Sequence, residues 1–129
     1  MRFRGHIVTG VGQGALLTNL AWVAKRYEEE MGSKPFPGTL NVKIIEEDQS
    51  LLAKMFAEKD FYLFSPDPKF CNASAKKVFV NTIPGIAVFP SEEVHIYGRE
   101  VIEIIAACPI RKELGLNTGD IVDISDCGQ

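Results

Sequence analysis

Residues 34–43 read K-P-F-P-G-T-L-N-V-K, and how this stretch is parsed decides the fold. Pro35 and Pro37 fix φ and withhold N–H donors, so no helix runs through them, and Gly38 permits a tight turn. From Thr39 onward the residues alternate as a strand does. Leu40, Val42 and Ile44 fall on one face, and Thr39, Asn41 and Lys43 on the other. That second face offers a hydroxyl, a carboxamide oxygen and an ammonium. The two oxygens are hard neutral ligands of the kind Mg²⁺ accepts when phosphates complete its shell, and the lysine would suit those phosphates. A solvated strand face shows the same alternation, so the row by itself admits both readings.

Toward the N-terminus, residues 2–9 alternate Phe3, Gly5 and Ile7 against Arg4, His6 and Val8, a first strand on which His6 is a surface residue. It runs into Gly10, Gly12 and Gly14, spaced so that backbone N–H groups can approach an anion. The segment lacks the G-K-[ST] ending of a Walker loop and the six-residue dinucleotide fingerprint, and a simple glycine-rich hairpin fits it as well. Thr18 or Asn19 then caps a helix whose apolar stripe is Leu17, Leu20, Ala24, Tyr27 and Met31, stopped at Gly32. Trp22 falls off that stripe.

Downstream, a strand over residues 39–45 is followed by a shorter helix over 46–59, carried by Leu51, Leu52, Met55 and Phe56. Residues 61–64 read as a short strand. Those up to Ser74 read as a surface loop that could act as a lid, with Pro66 and Pro68 in it. Residues 77–83 and 86–89 are β-rich runs about a Pro84-Gly85 turn, and residues 94–97 and 100–106 are two more. Glu103 shares a face with Val101 and Ile105. A carboxylate among aliphatic side chains either has a raised pKa or needs a partner such as Arg111. Pro109 opens one helical turn over 110–114, Gly115 stops it, and a turn at 117–120 leads into a closing strand with Val122 and Ile124 on one face. The pattern is mainly β, a partly closed barrel with one or two peripheral helices.

A chain of 129 residues suits a single domain with its own core over residues 1–129. Its net charge of −3 argues against a nucleic-acid binder, while a small anion needs only a few converging donors. No apolar run is long enough to span a bilayer, and the first residues do not form a signal segment, so a soluble cytoplasmic protein with no membrane partner is expected. Cys71, Cys108 and Cys127 are odd in number and form no C-x-x-C pair, as expected of reduced structural thiols. The Asn72-Ala73-Ser74 sequon is a chance match in that setting.

Taken together, the glycine loop, P-G-T-L-N-V-K and V-I-E-I-I-A-A-C-P-I-R-K-E-L-G-L-N-T-G-D-I-V resemble the archaeal-type CTP-dependent riboflavin kinases, in that family's order and over most of the chain outside residues 46–85. The resemblance implies a small six-stranded cradle-loop β-barrel that transfers the γ-phosphate of CTP to the 5′-hydroxyl of riboflavin, giving FMN and CDP. It further implies Mg²⁺ on Thr39 and Asn41, and a nucleotide held by Val11, Gly12, Gln13, Gly14, Ala15 and Leu16 and by Cys108, Pro109, Ile110 and Arg111. Glu103 would contact the flavin and orient or deprotonate its hydroxyl, with His95 as a second flavin contact, and the protein would be a monomer or weak homodimer.

Several positions depart from the family pattern. Gln13 stands where glutamate is common, and Ala15 and Leu16 replace a basic residue and an aromatic. His95, or Glu93 in the other alignment, replaces a flavin-contacting threonine, and Ala106-Ala107 replaces alanine-proline, with Pro109 further on. Two alternatives therefore stand beside the kinase: a same-fold kinase with another nucleotide or acceptor, and a non-catalytic flavin- or nucleotide-binding module.

Overall fold

The computed structural model describes residues 1–9, 21–63, 73–90 and 101–126. Among them the elements run β1 (Arg2–Val8), α1 (Ala21–Met31), β2 (Leu40–Ile44), a 3₁₀ turn (Glu46–Asp48), α2 (Ser50–Ala57) and β3 (Phe61–Leu63). β4 (Ala73–Val80), β5 (Ile83–Pro90), β6 (Val101–Ala106), α3 (Ile110–Leu114) and β7 (Ile121–Asp126) follow. The sheet order is β3-β4-β5-β6-β2-β1-β7, and β7 pairs again with β4. Six antiparallel strands thereby close into a barrel. β3 is an extra strand on β4, because it pairs with residues 73–75 of β4 while β7 takes residues 78–80.

Strand alternation sorts the side chains into two cores. Ile7, Leu40, Val42, Ile44, Ile102 and Ile104 fill the barrel, and Leu52 and Met55 of α2 and Ile110 of α3 pack onto the same cluster. On the opposite face of the wall, Val88 and Ile105 join Phe61 and Leu63 beneath Val23 and Tyr27 of α1. The buried stripe of α1 is thus Val23 and Tyr27, with Ala24 only half-buried, and Trp22 packs against this second cluster. Leu17 and Leu20 lie outside the described residues.

Two expectations about elements change. The residue 46–59 helix is a 3₁₀ turn and a separate α-helix. The break is at Gln49, whose side chain donates to the Ile44 carbonyl at 3.2 Å. The Pro84-Gly85 pair lies inside β5, and the reversal is at Asn81-Thr82, where Asn81 has φ 53°. Asn tolerates that left-handed conformation better than most residues. Pro84 does no harm because β6 begins to pair only at Gly85.

Gly5 is required by close approach. A Cβ there would meet Val42 Cγ1 and lie 2.7 Å from the Lys43 carbonyl oxygen. Because the clash includes backbone, Gly5→Ala should cost more than the roughly 1–3 kcal/mol typical of overpacking. Urea unfolding would report it as a lowered midpoint at unchanged slope, and an unchanged midpoint would contradict this packing.

Candidate functional site

β2 lies between β1 and β6, so the row of polar residues seen in the sequence gains neighbours on both sides. Val8 is paired with Asn41, and Asn41 with Glu103. Thr39 and Asn41 are half-buried and Lys43 exposed, all on the face opposite buried Leu40, Val42 and Ile44. Thr39 Oγ1 donates to Glu103 Oε1 across a long 3.5 Å contact. Burial pushes the Glu103 carboxyl above its ordinary range, and the Thr39 hydrogen bond pulls it partly back. Arg111 is not its partner, since Arg111 Nη2 donates to Thr118 Oγ1 at 3.0 Å. A hydroxyl that donates its proton to Glu103 keeps its oxygen lone pairs for a cation, so Thr39 fits a metal-ligand role while bonded in this way.

The second feature is a cavity of about 160 Å³ where β2 begins and β6 ends. Phe36, Pro37 and Thr39 line one part, and Cys108, Pro109 and Arg111 another. The Phe36 N–H donates to the Ala106 carbonyl at 2.7 Å, which fixes the proline turn against the end of β6. Gly38 takes φ 105°, as its place in that turn requires. Pro109 is extended at the start of α3, and Gly115, at φ 65°, ends the helix. Burial and the neighbouring Glu113 carboxylate raise the Cys108 pKa, so this free cysteine stays a thiol.

The structure therefore brings Thr39, Asn41 and Glu103 onto one surface and sets Cys108, Pro109, Ile110 and Arg111 around a cavity that Thr39 shares. Val11, Gly12, Gln13, Gly14, Ala15, Leu16, Glu93 and His95 lie outside the described residues. β1 ends at Val8, which pairs with Asn41. Lys43 lines a separate open groove of about 520 Å³ with His6, Glu46 and Glu47. His6 is exposed, as expected, with Nδ1 3.0 Å from the Gly119 carbonyl oxygen. Among the described residues no group of three or more His, Cys, Asp or Glu could hold a metal, so a cation at Thr39 and Asn41 would depend on neutral oxygens and its own ligand. No helix among them is long and apolar enough to cross a membrane. Phe36, an aromatic between two prolines, belongs to the cavity and was not picked out from the sequence.

Comparison with known proteins finds relatives over the whole barrel. A family model named CTP-dep_RFKase, described as "Domain of unknown function DUF120", matches residues 7–125. A riboflavin kinase of Archaeoglobus fulgidus is 32% identical over 127 residues, covering 96% of this chain and 54% of that protein. That of Thermofilum pendens is 28% identical over 133 residues, covering 96% and 58%. That of Methanopyrus kandleri is 31% identical over 124 residues, covering 96% and 82%. The chain thus spans a little over half the length of the first two. With the match running from the first strand into the last, over the barrel that carries the polar row and the cavity, the chain belongs to the CTP-dependent riboflavin kinase family.

Proposed function

We propose that this chain carries the transfer site of a CTP-dependent riboflavin kinase, moving the γ-phosphate of CTP to the riboflavin 5′-hydroxyl to give FMN and CDP. The observation that carries this reading is the Thr39, Asn41 and Glu103 group: two neutral oxygen ligands beside a desolvated carboxylate on one wall of the barrel. Phosphoryl transfer depends on positioning and charge neutralisation more than on covalent chemistry. Thr39 and Asn41 would hold Mg²⁺, which when bound neutralises the charge of the triphosphate. Arg111, exposed at the cavity, would meet phosphate, and the segment from Val11 to Leu16 would supply backbone N–H donors. Glu103 would accept the hydroxyl proton on its carboxylate, aided by a pKa that burial raises above the ordinary value.

The preference for a cytidine nucleotide rests on the family alone. A binding module would gain nothing from a carboxylate desolvated next to two cation ligands.

Thermal shift with CTP, ATP, riboflavin and FMN, each with and without Mg²⁺, tests the reading. A ligand at a hundred times its Kd adds about 2.7 kcal/mol of stability, enough to move a melting curve clearly. A rise with CTP that needs Mg²⁺ and exceeds that with ATP is expected. A rise with FMN and none with any nucleotide would point to a flavin-binding module.

A further inference from the structure

Resting on the kinase reading above, we propose that Phe36 is the stacking wall for the nucleobase of the phosphate donor and sets its affinity through ring contact. Among the described residues Phe36, Tyr62 and Ile121 are the large hydrophobic side chains left exposed. Tyr62 lies beneath the Lys59 ammonium, 5.0 Å from its ring centre, and Ile121 stands on the outward face of β7. Phe36, at 44% exposure, borders the cavity at the end of β6.

Its backbone is fixed before any ligand arrives. Pro35 and Pro37 restrict the chain on either side, and the Phe36 N–H is held by the Ala106 carbonyl at 2.7 Å. A ring presented from such a turn loses little freedom on binding. The rest of the lining joins apolar Pro109 and Ile110 to the Arg111 guanidinium, and Thr39 belongs to both this cavity and the polar row. Apolar lining beside a guanidinium and the Thr39 hydroxyl suits a nucleobase carried on a polyphosphate. Stacking on an aromatic side chain is the interaction that any such base can make.

The test compares wild type with Phe36→Ala and Phe36→Tyr, measuring CTP affinity by calorimetry, KM for CTP in riboflavin phosphorylation, and competition by Mg²⁺-tripolyphosphate, which has no base. Phe36→Ala should weaken CTP about 5- to 150-fold, the loss appearing in KM, while Phe36→Tyr restores affinity. Tripolyphosphate should compete equally well against both variants and wild type. If Phe36→Ala leaves CTP affinity intact in a protein that phosphorylates riboflavin, the stacking role is wrong and the kinase reading stands. Equal weakening of CTP and tripolyphosphate would make Phe36 a structural support of the loop and also overturn the proposal. Phe36-dependent CTP binding without phosphorylation would uphold the stacking role and overturn the kinase. A wild-type protein that does not bind CTP overturns both.

Discussion

Asn41→Ala should abolish detectable phosphate transfer and leave the barrel standing. The carboxamide sits half-buried on the outward face of β2, between Val8 and Glu103, whereas the strand's contribution to the core comes from Leu40, Val42 and Ile44 on its other side. Truncation therefore opens no cavity in the core, and the stability change should stay within about 0.5 kcal/mol, as for surface positions without special contacts. Transfer is another matter, because Asn41 would supply one of two protein oxygens to the cation. Losing a single group that stabilises charge in a transition state typically costs about 10²–10³ in rate, and losing half of a two-ligand site should cost no less. Initial rates over a Mg²⁺ series together with a melting curve separate the cases. A normal melt with lost transfer is expected, whereas an unfolded variant would make Asn41 structural.

Glu103→Gln should lower the transfer rate by about 10²–10⁴, the range for removing a general base, and the fold should hold. Glutamine keeps an oxygen to accept the Thr39 hydrogen bond, so no buried donor is orphaned. The pH dependence carries the sign. Burial raises the folded-state pKa above the ordinary carboxylate value, so the native state holds its proton more tightly than the unfolded chain. The Glu103 contribution to stability is therefore most favourable at acid pH. It declines as pH climbs from the unfolded pKa through the folded one, and remains a cost in the ionised form. Glu103→Gln should consequently melt no lower than wild type at neutral pH. It should also lose the acid limb of the wild-type rate profile, which lies above the ordinary carboxylate range. An unchanged profile would remove Glu103 from the chemistry.

The polar row was legible because strand alternation is strict. Once Pro35, Pro37 and Gly38 exclude a helix, Thr39 and Asn41 can only face away from Leu40 and Val42. The strand carrying Glu103 was legible for the same reason. Its partner was not, because Thr39 is 64 residues away in sequence and comes into contact only when β2 and β6 pair. Pro84-Gly85 misled because both residues usually mark turns. Here Gly85 is needed inside β5, where a Cβ would lie 2.8 Å from the Ile105 carbonyl oxygen, and the reversal passed to Asn81. The place of Phe36 at a cavity was hidden by the same nonlocality, since that cavity exists only where the end of β6 meets the proline turn.

The central claim is that Thr39, Asn41 and Glu103 form a phosphate-transfer surface. Following riboflavin, CTP and Mg²⁺ by liquid chromatography, with Asn41→Ala run in parallel, tests it most directly. FMN and CDP should appear in equal amounts with wild type and be absent with the variant. FMN formed equally by both proteins, or by neither, would contradict it.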